Sequence, residues 1–152
     1  MSEVTTQIDI DVPPEEVWDF IMDTSCLDDW VTIHRKLGDV SDRELKPGST
    51  VEQTMCLRGV NFKVHWEVKQ YDRPNEAVWE GRGPARSKAL IRDKLEPNGN
   101  GGTRFTYTNE FHPPGGPLGA VASRVVIGGV PQREADASLQ QLKQILERRK
   151  KS

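Results

Sequence analysis

The chain has 152 residues, 35% of them apolar and 29% charged, with a formal net charge of −2. That length fits one domain around one core, and the charge balance leaves no general basic field for nucleic acid. No apolar run approaches the roughly 20 residues that span a bilayer, and no charged segment leads into an apolar core at the amino terminus. A cytoplasmic protein without membrane insertion is expected.

The first element reads as a strand. Val4, Thr6, Ile8, Ile10 and Val12 alternate with Gln7, Asp9 and Asp11, the period of a strand with one wet face. Pro13 ends it, and Pro14 fits the first position of a helix, where its missing N–H costs nothing. Glu15 and Glu16 sit against the positive end of the helix dipole, and Val17, Trp18, Phe20 and Ile21 form one apolar face about two turns long. Asp23, Thr24 and Ser25 stop the helix and cap a further turn, in which Leu27 and Trp30 share a side.

From Thr32 to Phe111 the pattern is that of strands. Residues 57–60 form a two-residue hairpin turn, with Gly59 supplying the unusual backbone angle. The register that follows sets Met55 opposite Phe62, Gln53 opposite Val64 and Val51 opposite Trp66, which gathers nearly all the apolar residues on one face. His65 then points outward, an imidazole on a wet face. After a second turn at 72–75, Ala77, Trp79 and Gly81 share the inward face, and Arg82 joins the outward charges.

The turn at 97–102 pairs Leu95 with Phe105, Asp93 with Tyr107 and Ile91 with Asn109. Polar groups then enter an apolar interior, where they satisfy one another or wait for a ligand. Asp93 with Tyr107 reads as a self-satisfied pair; Tyr107 and Asn109 are the better ligand candidates. Gly81, Gly83, Ala85, Ser87 and Ala89 lie on the same face, either leaving space for a ligand or serving bulges and curvature. Beyond a proline-rich loop, Leu118, Val121, Ala122 and Val125 open a final helix. Ala135, Leu139, Leu142 and Leu146 continue it, with a kink or break expected at Gly128, Gly129 and Pro131.

The run Ile8-Asp-Ile-Asp-Val-Pro-Pro-Glu-Glu-Val-Trp-Asp-Phe-Ile21, followed by Leu27-Asp-Asp-Trp30, resembles the opening of the START-like (SRPBCC) superfamily, in its polyketide cyclase/dehydrase and lipid-transport branch. The stretch from Gly101 to Phe111 and the long carboxy-terminal helix look like the same branch. The resemblance implies an α+β helix-grip fold in a single ligand-binding domain over 1–152. In that fold a strongly curved antiparallel sheet of about seven strands wraps around the C-terminal helix, with two short helices between strands 1 and 2. It also implies an internal cavity. On the inward parity, its walls would come from Trp30, Met55, Phe62, Trp66 and Trp79, with Asp93, Tyr107, Asn109 and Phe111 beside them and Leu118 and Val125 on the helix.

Several chemistries lack their residues. His34, His65 and His112 have no metal-ligand spacing, and neither a phosphate-cradling glycine loop nor a Gly-x-Ser-x-Gly elbow occurs. Cys26 and Cys56 read as reduced packing residues. No metal and no cofactor is expected. The leading reading is a module, monomeric or homodimeric, that binds or transfers a hydrophobic small molecule such as a lipid, an aromatic or a polyketide-like compound. The alternative is a polyketide cyclase/dehydratase-type enzyme, with Asp93, Tyr107 and His34 as catalytic candidates, although His34 at a strand start reads first as a surface histidine. A third reading, a regulatory module for a protein partner, requires a large exposed apolar patch.

Overall fold

The computed structural model describes residues 2–57, 59–83, 86–112 and 130–151. The alternating opening is strand β1 (Ser2–Ile10), and the proline-started segment is helix α1 (Pro14–Ile21). A 3-10 turn (Thr24–Cys26), capped by the Asp23 side chain accepting from the Ser25 N–H, leads into the single turn α2 (Leu27–Trp30). Six further strands follow: β2 (His34–Val40), β3 (Thr50–Leu57), β4 (Val60–Asp72), β5 (Glu76–Arg82), β6 (Lys88–Pro97) and β7 (Thr103–His112). Helix α3 (Val130–Lys151) closes the described chain.

The strands form one seven-stranded antiparallel sheet in the order β1-β7-β6-β5-β4-β3-β2. Consecutive strands are neighbours except at the start, where α1 and α2 carry the chain from one edge to the other. The expected α+β helix-grip architecture is therefore observed, with its two short helices between strands 1 and 2.

Turn chemistry sets the register. Gly59 has φ +79, and the hairpin it closes places Met55 opposite Phe62, Gln53 opposite Val64 and Val51 opposite Trp66. In the next long hairpin the Asn98 side chain accepts from the N–H groups of Asn100 and Gly102, and Asp93 falls opposite Tyr107 and Ile91 opposite Asn109. Both registers match those derived from the alternation.

One irregularity was not visible in the sequence. The β4–β5 register shifts between Val68 and Gln70, so Val64, Trp66 and Val68 point to the concave side and, after the bulge, so does Tyr71. Its ring meets Trp18 edge-on, with centroids 5.1 Å apart, and Trp18 Nε1 donates to the Tyr71 hydroxyl at 3.2 Å.

Helix α3 lies against β1 and α2, burying Leu139, Leu142 and Leu146. Each such leucine contributes roughly 1.5–3 kcal/mol. Polar clamps fix its position: Lys143 Nζ donates to the Asp9 carbonyl at 2.7 Å, the Asp11 N–H to Glu147 at 2.9 Å, and the Thr32 N–H to Ser138 Oγ at 3.0 Å. The described part of α3 begins at Val130, one residue before Pro131. The kink expected at Gly128 and Gly129 lies outside the described residues.

Burial changes along the concave face. At the end plugged by α1, Ile10, Thr103, Leu95, Phe105 and Ala77 are sealed. Further along the same strands Val4, Trp79, Ile91, Asn109, Ala89 and Phe111 are only half-buried, as are Met55 and Phe62 across the sheet. The interior thus has a packed end and an open end.

Candidate functional site

Where the packed end gives way to the open end, β5, β6 and β7 carry a row of polar side chains that starts at Asp93, level with Ala77. Strand parity turns Asp93 inward, where it is 7% exposed. Burial pushes its carboxyl up to about 7, and a hydrogen bond with the Trp79 side chain partly opposes that rise. Tyr107, directly opposite on β7, is raised far above the ordinary phenol range by burial and then by the Asp93 charge; its hydrogen bond with Asn109 works the other way. Asn109 Nδ2 donates to the Tyr107 hydroxyl at 3.2 Å, and Asn109 Oδ1 is buried with no partner. Asp93 and Tyr107 are therefore neighbours, yet each takes its hydrogen bond elsewhere, Asp93 from Trp79 and Tyr107 from Asn109. A carboxyl that titrates near neutral pH inside an apolar wall can hold or release a proton.

His34 lies elsewhere and is not a surface histidine. It is 9% exposed, because the first residue of β2 enters the sheet beneath α2, opposite Met55. Trp66 Nε1 donates to Gln53 Oε1 at 2.9 Å, and Gln53 Nε2 lies 2.8 Å from His34 Nδ1. An indole N–H can only donate, so Gln53 must present its oxygen to Trp66 and its amide N–H to His34. Nδ1 accepts, and the imidazole proton sits on Nε2, facing Asp28 Oδ1 at 3.4 Å. Burial lowers the His34 pKa, and Asp28 offsets part of that drop. Hydrogen bonds join Trp66, Gln53 and His34, and the Asp28 carboxylate lies close to the remaining ring nitrogen. Gln53 had a signal in the sequence: it is the polar exception on the inward face of β3.

Trp66 also settles the meaning of Gly81. A Cβ at residue 81 would lie 2.5 Å from the Trp66 ring, so the indole fills the place that the small residue suggested was open. A Cβ at Gly83 would likewise meet Ser87 Oγ at 2.5 Å. Ala85 lies outside the described residues, as do Leu118 and Val125.

Trp30 is 6% exposed, and its Nε1 is a second buried polar atom without a partner. Gln141 holds its backbone carbonyl at 3.1 Å, tying the α2 turn to α3. Arg82 and His65 are exposed beside Glu80 and Glu52, on the outward face as the alternation requires. Cys26 and Cys56 are free, and burial followed by the Asp23 charge raises the Cys26 thiol, which makes it a poor nucleophile. Among the described residues no three His, Cys, Asp or Glu side chains form a metal-binding group. A shallow depression lined by Gln70, Glu76, Lys94 and Glu96 faces the convex side; its acids pair with Arg92 and Lys94.

Known proteins resemble this chain in sequence or in fold. The chain is 27% identical over 132 residues to the uncharacterized protein Rv1546 of Mycobacterium tuberculosis, covering 86% of this chain and 92% of that one. It is 27% identical over 101 residues to the toxin Rv0910 of the same organism, covering 66% and 70%. Among solved structures, TTHA0849 from Thermus thermophilus superposes with a TM-score of 0.76 at 20% identity, over 94% of this chain and 95% of that one, a likeness of fold. The sequence model described as polyketide cyclase/dehydrase and lipid transport matches residues 1–147, which include the opening strand and helix, the polar row and most of α3. With the curved sheet closed on a C-terminal helix, that match places the chain in the polyketide cyclase/dehydrase and lipid transport family.

Proposed function

We propose that the protein binds, and passes on, a hydrophobic small molecule such as a lipid, an aromatic or a polyketide-like compound, held at the open end of the concave face. The observation that carries this reading is the burial gradient: the same strands are sealed at the α1 end and keep half-buried Met55, Phe62, Trp79, Ile91 and Phe111 at the other. Desolvation of those side chains would supply most of the binding energy, at about 25 cal/mol per Å². The buried orphans Trp30 Nε1 and Asn109 Oδ1 offer polar contacts that an apolar cargo with one or two heteroatoms could use. No described helix is long and apolar enough to cross a membrane. A cytoplasmic carrier, monomeric or homodimeric and indifferent to nucleic acid, is the setting this reading implies.

Native mass spectrometry of freshly purified protein tests it. A co-purified small molecule released on denaturation is expected. Protein that stays empty and also fails to take up an uncharged apolar dye would overturn the reading.

A specific observation favours a second reading, an enzyme of the cyclase/dehydratase kind. The Asp93 carboxyl, raised to about 7 beside Tyr107, has the proton affinity that general acid–base catalysis uses near neutral pH. Asp93→Asn and Tyr107→Phe separate the two. An enzyme loses turnover with binding retained, while a carrier has no turnover to lose. The partner-binding reading gains no support from the described surface, where the exposed large apolar side chain is Val60.

A further inference from the structure

Among the described residues of β4 to β7 the polar row offers acceptors and lacks cations. Asp93 is 7% exposed, and Asn109 Oδ1 beside it on the next strand is buried without a partner. Every described lysine and arginine of β4 to β7 is exposed, and strand parity puts Arg92, Lys94 and Arg104 on the convex side. An entering carboxylate or phosphate would meet Asp93 with no positive charge from the described residues of β4 to β7 to receive it, and an unpaired buried charge is among the costliest arrangements in a protein. An ammonium would find Asp93 but bury two ions in an apolar end. A hydroxyl both donates and accepts, so it satisfies the orphaned Asn109 whichever of its oxygen and nitrogen faces the cavity.

We infer that the cargo is an uncharged apolar molecule carrying a hydroxyl group, which hydrogen-bonds with Asn109 and Asp93, and that the site rejects the corresponding carboxylate. This deepens the binding role proposed above and rests on it. Selectivity comes from an acid placed where a fatty acid would put its own.

The test is displacement of the uncharged dye N-phenyl-1-naphthylamine by 1-decanol, decanoate and decylammonium at a pH of about 8, where the two ionic probes are charged. Decanol is expected to displace the dye about tenfold more effectively than either ion. Asp93→Asn should bring decanoate toward decanol, and Asn109→Leu should weaken decanol while leaving decanoate nearly unchanged. Decanoate matching decanol on the unaltered protein overturns the inference, as does decylammonium binding best or an unchanged alcohol-to-acid ratio in Asp93→Asn. Dye that does not bind at all overturns the binding role with it, whereas dye that binds without alcohol preference overturns the hydroxyl assignment alone. The unaltered protein decides the main point, so a variant that fails to fold does not rescue the idea.

Discussion

Each half of the sheet carries a group made of an acid, an indole, a side-chain amide and a polar ring. In His34, Gln53 and Trp66 each polar group has a partner, and the chain runs out to the exposed Asp28 carboxylate. In Trp79, Asp93, Tyr107 and Asn109 the bonds run out before the groups do, leaving Asn109 Oδ1 orphaned and Asp93 without a counter-ion among the described residues. The difference teaches what each set is for. A closed network specifies one arrangement of β2, β3 and β4 and contributes to folding, whereas an open one leaves hydrogen-bonding capacity unused and costs stability.

The largest expected effect breaks or supports the costly half of this contrast. The folded Asp93 carboxyl keeps its proton up to about 7, while in the unfolded chain it lets go near the ordinary carboxylate value. Between those two points the folded state binds more protons, so stability falls as pH rises, by on the order of 4 kcal/mol in total. Urea unfolding across that window should show the decline in the unaltered protein and lose most of it in Asp93→Asn. Equal slopes in the two proteins would mean that Asp93 is solvated in the folded state.

Next comes the closed network. Gln53→Leu strands both His34 Nδ1 and Trp66 Nε1 in the core, and a loss of about 2–4 kcal/mol is expected by the same unfolding measurement. A loss under about 1 kcal/mol would remove the distinction drawn here.

Gly81→Ala sharpens it from the packing side. The new methyl collides with the Trp66 ring, which Gln53 already holds, so neither can yield freely; thermal unfolding should report a cost of about 1–3 kcal/mol. The smallest effect belongs to Asn109→Leu, in which removal of a buried unsatisfied acceptor offsets loss of the hydrogen bond to the Tyr107 hydroxyl, for a net change of no more than about 1 kcal/mol. If it proves as damaging as Gln53→Leu, the polar row is structural and its claim on a ligand falls.

Much of this contrast was legible in the sequence, for a geometric reason. Tight turns at 57–60 and 97–102 fix register, and register with strict alternation decides which residues point inward, so Asp93, Tyr107 and Asn109 could be placed by counting. His34 could not. Its strand has two register shifts against β3, which interrupt the count, and its depth depends on how α2 stacks above it. Gly81 failed differently, since composition cannot distinguish an empty place from one filled by the tryptophan opposite it on β4. The orphaned state of Asn109 was equally hidden, because it depends on bond directions rather than on residue type.

The bulge between Val68 and Gln70 carries a consequence beyond its geometry. By switching parity in mid-strand, it lets β4 send Trp66 toward the open end and Tyr71 to Trp18 at the packed end, so a single strand serves two compartments. The packed compartment holds the shape on its own side chains. Substitutions at the half-buried end can then change its size and polarity while the foundation that makes the chain fold stays untouched.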